Sequence, residues 1–158
     1  MNCLGDSSEY CGRSNEHCGL EVPAVAELAH AAGALVIVDN VFASPVLQRP
    51  FNFGADVVVH SATKHIDGQG RVMGGAVLSS NEFLSENLMP FMRHTGPSMS
   101  PFNAWVLVKG LETLRLRVDA ASQAAQTLAT RLEAHQVAKT VGYPMLESHP
   151  QFDAPPHR

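Results

Sequence analysis

Short, unbroken apolar runs constrain this chain most. Ala34-Leu-Val-Ile-Val38 is continuous rather than alternating, and Asp56-Val-Val-Val-His60 repeats the pattern. A strand buried on both faces reads this way, because helices cover both sides of a parallel sheet. A third run, Ala76-Val-Leu-Ser79, follows Gly74-Gly75. Ahead of the first, Pro23 suits the first turn of a helix, Ala24 to Ala32 is rich in strong helix formers, and Gly33 is a natural stop. Strands that follow a helix, with no hairpin signal between them, predict an α/β fold with an open, mostly parallel sheet and flanking helices.

The second half is of another kind. Pro101 begins a helical stretch that runs, with breaks, to about Ala134. Trp105, Val108, Leu111, Leu114 and Val118 recur at helical spacing, which predicts a core stripe that includes the single tryptophan. Ala120 to Ala134 is alanine-rich, with Leu128 and Leu132 on one face, and predicts a long C-terminal helix. The expected division is an irregular segment over 1–20, an α/β portion over 21–100, a helical region over 101–142 and an irregular, proline-rich tail over 143–158.

The balance of residue types excludes some classes of function. The 158 residues are 45% hydrophobic and 16% charged, enough for one domain with a core. A net charge of -4 without a basic block argues against a nucleic-acid or anionic-membrane surface. The sequence shows no apolar stretch of membrane-spanning length and no signal-peptide pattern, so the cytoplasm is the expected location. Cys3, Cys11 and Cys18 lie within the first 18 residues. An odd number confined to one end is no disulfide framework, and Cys11, His17 and Cys18 match no paired-cysteine zinc spacing, so no metal is expected.

The chemistry-bearing residues fall where strands should end. Asp39 follows the first apolar run, and Ser61-Ala-Thr-Lys64 follows the second, with Lys64 lying 25 residues after Asp39. Ligands of open α/β sheets gather at the carboxyl ends of strands. Pyridoxal 5'-phosphate (PLP) needs a lysine to condense with its aldehyde, an acid to keep its pyridine nitrogen protonated, and hydroxyls for its phosphate. Lys64, Asp39, Ser61 and Thr63 are those types. Each alone has a plainer reading: Asp39 as a turn cap, Lys64 as a solvated surface lysine, Ser61 and Thr63 as turn residues. The combination favours the cofactor, with Asp39 shielded from water and Lys64 partly desolvated into a usable amine.

Other candidates carry less. The glycines of Asp67-Gly-Gln-Gly-Arg-Val-Met-Gly-Gly75 let the backbone approach a ligand, but they form neither a dinucleotide fingerprint nor a P-loop. His60 and His65 flank the lysine segment, where packing or hydrogen bonding is the plainer role and proton transfer the sharper one. Arg93, Arg115 and Arg117 are each able to bind a carboxylate, and their spacing chooses none of them.

Several motifs together resemble a known family. Val38-Asp-Asn-Val-Phe-Ala-Ser-Pro45, Leu47-Gln-Arg-Pro50, Gly54-Ala-Asp56 and His60-Ser-Ala-Thr-Lys64 are similar to the PLP enzymes of cysteine and methionine metabolism, in that family's order. His65-Ile-Asp-Gly-Gln-Gly-Arg71, Ser100-Pro-Phe-Asn-Ala-Trp105 and Lys109-Gly-Leu-Glu-Thr-Leu114 resemble its sulfhydrylase branch. The resemblance, over about 21–151, implies part of the large domain of an aspartate-aminotransferase-type fold. It implies Lys64 as the Schiff-base lysine and catalytic proton carrier, Asp39 as the pyridinium partner, and Ser61 and Thr63 as phosphate ligands. The implied reaction is replacement of succinate in an O-succinyl amino acid, O-succinylhomoserine, by sulfide. The alternatives are transsulfuration through cystathionine and, in another class, a non-catalytic remnant. The implied assembly is a homotetramer with sites at a dimer interface. Family features outside these motifs, among them a ring-stacking tyrosine and a substrate-binding arginine, have no counterpart here, and Ser14-Asn15 does not match the family's Ser-Asn-Pro segment. The expectation is therefore the middle of an enzyme, with residues 1–18 outside the resemblance and little activity in this polypeptide alone.

Overall fold

The computed structural model describes residues 22–150 and Phe152. The three cysteines, His17 and Ser14-Asn15 lie outside the described residues. The chain forms two compact units, divided between Ala120 and Ala121.

In the first unit, helix α1 (Val22–Ala31) has Pro23 in its first turn and ends where Gly33 takes a left-handed conformation. Val22 and Ala26 are its buried residues. Strand β1 (Ile37–Asp39) follows, then a short helix α2 (Ser44–Leu47) and a single tight turn at Pro50–Phe53. Strand β2 (Val57–Ser61) runs parallel to β1, with Ile37 opposite Val57 and Asp39 opposite Val59. Strand β3 (Gly75–Ser79) pairs antiparallel on the other side of β2, from Val57 opposite Ser79 to Ser61 opposite Gly75. The sheet order is β1-β2-β3.

The sheet here is thus mixed, and only one of its two pairings is the expected parallel kind. Residues 62–74 between β2 and β3 hold a single wide turn rather than a crossover helix, so the chain returns antiparallel. Burial also differs between the runs. Val57 and Val58 of β2 are buried, whereas Ile37 is 64% and Leu35 56% exposed. Among the described residues β1 has one neighbouring strand while β2 has two, and its side chains are covered less.

A helical stretch not signalled by the sequence spans Asn81–Thr95. Its α-helical parts are α3 (Asn81–Phe83) and α4 (Met89–Thr95), joined by a wider turn at Leu84–Leu88. Ser80 caps its start, with its hydroxyl accepting from the Phe83 N–H at 3.1 Å. Helix α5 (Pro101–Glu112) starts at Ser100, whose hydroxyl accepts from the Asn103 N–H at 3.2 Å. Helix α6 (Leu114–Glu133) begins after a break at Thr113.

The core stripe of α5 is not the predicted one. Val106, Leu107 and Gly110 are buried, whereas Trp105 is 56% exposed, alongside exposed Val108 and Leu111. Leu114 and Val118 are buried as expected. The apolar residues of α5 occur on more than one face, so spacing alone cannot tell which face meets the core. Ala62, Ile66, Val72, Val106 and Leu107 form one buried cluster that fastens the turn after β2 to α5.

The second unit contains the remainder of α6 and an irregular stretch with no regular element through residue 150. Ala129 and Leu146 are buried in it, while Leu128 and Leu132 are exposed. Gln126 donates to the Met145 carbonyl at 3.1 Å, the Tyr143 hydroxyl donates to Ser122 O at 3.4 Å, and Ser148 bonds to Glu133. No helix among the described residues is long and apolar enough to cross a membrane.

Candidate active site at the end of the parallel pair

Because β1 and β2 are parallel, their carboxyl ends point the same way, and both carry candidate residues. Asp39 is the last residue of β1, opposite Val59, and Ser61 is the last of β2. Side chains alternate along a strand, so Asp39, Val59 and Ser61 share one face, with Ser61 about 7 Å further along than Val59. Val58 and His60 take the other face.

Asp39 is exposed, not shielded as expected, since β1 is covered less than a central strand. Its Oδ1 accepts from the Val41 N–H at 3.1 Å, an Asx-turn bond that orients the carboxylate at the strand end. The next residue, Asn40, is buried, and its main-chain N–H continues the ladder to Val59 O at 2.9 Å. The Asn40 side-chain amide donates to Ser44 O at 3.2 Å and Gln48 O at 3.0 Å. Ser44 is itself buried at a positive φ of 60°, a left-handed position that Asn40 braces from the side. The Asp-Asn pair thus divides its work: Asn40 holds the loop after β1 and Asp39 faces outward.

Lys64 sits in the wide turn Ala62–Ile66 that follows β2 directly. Its backbone (φ -86°, ψ -114°) departs from helical values. The side chain is exposed, which corrects the expectation of partial desolvation, and it makes no hydrogen bond or ion pair with the described residues. The turn that bears it is buried beneath, through Ala62 and Ile66.

Ser61 and Thr63 differ from each other. The Ser61 hydroxyl has no partner among the described residues. The Thr63 hydroxyl oxygen accepts from the Gly74 N–H at 3.1 Å and lies 3.5 Å from the Gly74 carbonyl. The Ala62 N–H donates to the same carbonyl at 2.8 Å. Thr63 therefore ties the lysine turn to the start of β3, a role its sequence position did not signal. Its second lone pair remains for a ligand.

The histidines part company. His60 is 6% exposed, on the sheet face opposite Asp39 and Ser61. Burial holds its pKa below the usual histidine value, against a hydrogen bond with the Asn40 backbone and the charge of Asp39, which push the other way. It is therefore neutral near pH 7, a packing residue. His65 contributes its carbonyl to an arginine, described below.

Two further carboxylates brace the frame. Burial raises the Asp56 pKa, but the Val36 N–H and the hydrogen bond and charge of His30 outweigh it, and the group lies below the usual carboxylate range. Asp67, 1% exposed, is likewise raised by burial and lowered more by Arg71 and the Gln69 main chain. Arg71 bonds it through Nε at 2.8 Å and through its N–H at 2.6 Å. Asp56 and Asp67 lie within the resemblance motifs, but nothing in the sequence signalled their pairing with His30 and Arg71.

One end of the parallel pair thus carries an exposed amine on a buried, well-fastened turn, an oriented carboxylate, and a hydroxyl without a partner. This donor set fits PLP: the amine for the aldehyde, the carboxylate for the pyridinium, hydroxyls for the phosphate.

Comparison with known proteins agrees. Residues 16–156 match the family described as Cys/Met metabolism PLP-dependent enzyme, a little beyond the motifs at both ends. An O-succinylhomoserine sulfhydrylase of Mycobacterium tuberculosis is 58% identical over 134 residues, 85% of this chain and 33% of that protein. One of Pseudomonas aeruginosa is 53% identical over 134 residues, again 85% of this chain and 33% of the relative. The crystal structure of cystathionine gamma synthase from Xanthomonas oryzae pv. oryzae in complex with cystathionine superposes with a TM-score of 0.81 at 38% identity, covering 89% of this chain and 36% of that one. The chain spans about a third of the length of these proteins. The fold is accordingly part of the α/β domain of those enzymes, and the cofactor to which Lys64, Asp39 and Ser61 are suited is the family's own. By sequence over nearly its whole length, and by fold, the chain belongs to the PLP-dependent enzymes of cysteine and methionine metabolism.

Proposed function

We propose that this chain is the central part of a PLP-dependent sulfhydrylase that replaces the succinate of O-succinylhomoserine with sulfide. The observation that carries the reading is the identity of 58% and 53% to two O-succinylhomoserine sulfhydrylases, across the segment that holds Asp39 and Lys64. Matches to cystathionine-handling enzymes are weaker in identity, 41% for a cystathionine gamma-lyase of Bacillus subtilis.

In this reading Lys64 would hold the cofactor, Asp39 would pair with its ring nitrogen, and Ser61 and Thr63 would take part in holding its phosphate. When bound, PLP supplies an electron sink for charge that develops on the substrate's α-carbon. The residues do the rest. Lys64 Nζ would hold the cofactor, and as a free amine it would take and return protons as a general base and acid. Asp39, oriented by the Val41 N–H, would keep a positive ring nitrogen paired. Thr63 keeps the lysine turn against β3 through Gly74. Residues 21–100 would belong to the cofactor-binding domain and 101–142 to a helical region leading away from it. A soluble, cytoplasmic homotetramer with sites at a dimer interface is the corresponding assembly.

The test is homocysteine formation from O-succinylhomoserine and sulfide, in a polypeptide that carries these residues within the relatives' full length. Activity abolished by Lys64→Ala is expected. Turnover with cysteine but not sulfide would reassign the enzyme to cystathionine synthesis, and turnover that survives Lys64→Ala would overturn the site.

A further inference from the structure

Two carbonyls of the turn that bears Lys64 find their donors in an unusual way. A buried backbone acceptor needs a donor, and a short irregular turn cannot supply all of them itself. Ala62 O accepts from the Asp67 N–H at 2.8 Å and Lys64 O from the Gly68 N–H at 2.7 Å. Asp67 O takes Arg71 Nη2 at 3.2 Å. The two carbonyls between them, those of His65 and Ile66, are served by one side chain from a distant part of the sequence. Arg117 Nη1 donates to His65 O at 2.8 Å and Nη2 to Ile66 O at 3.1 Å.

Arg117 is itself held in place. Its Nη2 also donates to Gly110 O at 2.9 Å and its Nε to the Thr113 hydroxyl at 3.1 Å, so the guanidinium bridges the break between α5 and α6. Among the described residues it meets carbonyls and a hydroxyl but forms no ion pair with a carboxylate. Two glycines make room for this arrangement. A Cβ at Gly68, at φ +73°, would collide with Arg117 Nη1, and a Cβ at Gly110 would collide with Ile66 O. The planar fork of arginine matches two adjacent carbonyls in a way a lysine ammonium does not.

We propose that Arg117 is the positioning residue for Lys64. By fixing the carbonyls of the two residues that follow Lys64, it sets the direction in which that side chain leaves the turn, and with it the selectivity of its amine. The inference rests on the reading of Lys64 as the amine that takes the cofactor, and it adds a residue 53 positions away that makes this possible.

The chain has three lysines, Lys64, Lys109 and Lys139, which makes the effect measurable without turnover. The 158-residue chain is incubated with PLP, reduced with borohydride and mapped by peptide, and the label at Lys64 is divided by that at Lys109 and Lys139. Far-UV circular dichroism establishes that each variant is folded. Wild type is expected to favour Lys64. In Arg117→Met and Arg117→Lys this preference should fall about tenfold, the size of losing a hydrogen bond to a charged group. Thr113→Val, at an exposed position, removes only the acceptor that steers Nε and should show a smaller loss in the same direction; it carries the test if the Arg117 variants do not fold. A merely structural clamp would lower the denaturation midpoint and leave the distribution among lysines unchanged. An unchanged distribution in a folded Arg117 variant, or in Thr113→Val where those variants do not fold, overturns the proposal. A wild-type chain without preference for Lys64 also overturns the proposal, since there is then no selectivity for Arg117 to set; the reading of Lys64 itself falls separately, if turnover at the relatives' full length survives Lys64→Ala.

Discussion

Asp39 is the residue whose setting differs most from what its sequence position suggests. It ends an apolar run, yet the carboxylate is exposed and bonded to one local N–H. In the proposed role its effect would therefore not rest on its own burial in this segment. It would rest on a carboxylate at the strand end with one oxygen held by the Val41 N–H and the other without a partner among the described residues. An electrostatic partner of this kind acts on charge that develops in the transition state, so its removal should slow turnover more than it weakens cofactor capture. Asp39→Ala, in the full-length context, is expected to lose roughly 10²–10³ in turnover, the range seen when one such group is removed. Steady-state kinetics beside a PLP titration checks this: equal losses in both would make Asp39 a binding group only.

Helix α5 is where element-scale packing decides what a substitution does. Gly110 lies inside the helix, where replacement of glycine by alanine ordinarily stabilises by about 1 kcal/mol. Here the sign should reverse. The added Cβ would meet the Ile66 carbonyl and the Asp67 backbone, neither of which is the far end of a flexible side chain. Overpacking of this kind costs about 1–3 kcal/mol. Gly110→Ala should therefore lower the urea midpoint of the chain, whereas alanine at the exposed neighbour Lys109 should leave it nearly unchanged. A Gly110→Ala chain as stable as wild type would show that α5 and the lysine turn are less tightly apposed than the structure has them. The same contact explains why the Lys64 turn can be irregular and still fixed: α5 packs beneath it and Arg117 closes it.

Across the whole molecule, a large share of the big apolar side chains faces outward. Leu35, Ile37, Phe42, Met73, Phe102 and Trp105 are each more than half exposed, and β1 has a neighbour on one side only among the described residues. Open strand edges and contiguous apolar surface drive association. The 158-residue chain on its own is expected to self-associate at micromolar concentration. Sedimentation velocity should show species heavier than the 17.0 kDa monomer, and Ile37→Lys should shift the distribution toward monomer by placing a charge on that strand. A monodisperse wild-type monomer would contradict this.

Much of this was legible in the order of residues. The apolar runs marked the three strands of the described residues, Pro23 and Gly33 bounded α1, and Ser100-Pro101 began α5. The residue types at the strand ends, Asp39 and Ser61 to Lys64, named the cofactor before any geometry was known, because their chemistry is specific when combined. Those signals are local: each depends on a few neighbouring residues and on what their side chains can do. What only the tertiary structure decided is non-local. Whether β3 pairs parallel or antiparallel depends on how residues 62–74 return, not on the strand's own pattern. Which face of α5 is buried depends on what lies opposite, and so Trp105 is outside and Val106 inside. Thr63 serves Gly74, 11 residues on, and Arg117, one of three arginines the sequence could not tell apart, was singled out by two carbonyls more than 50 residues away. A sequence states which groups a chain has to offer. Which of them meet is settled by packing, since each buried carbonyl takes whichever donor the fold brings within reach.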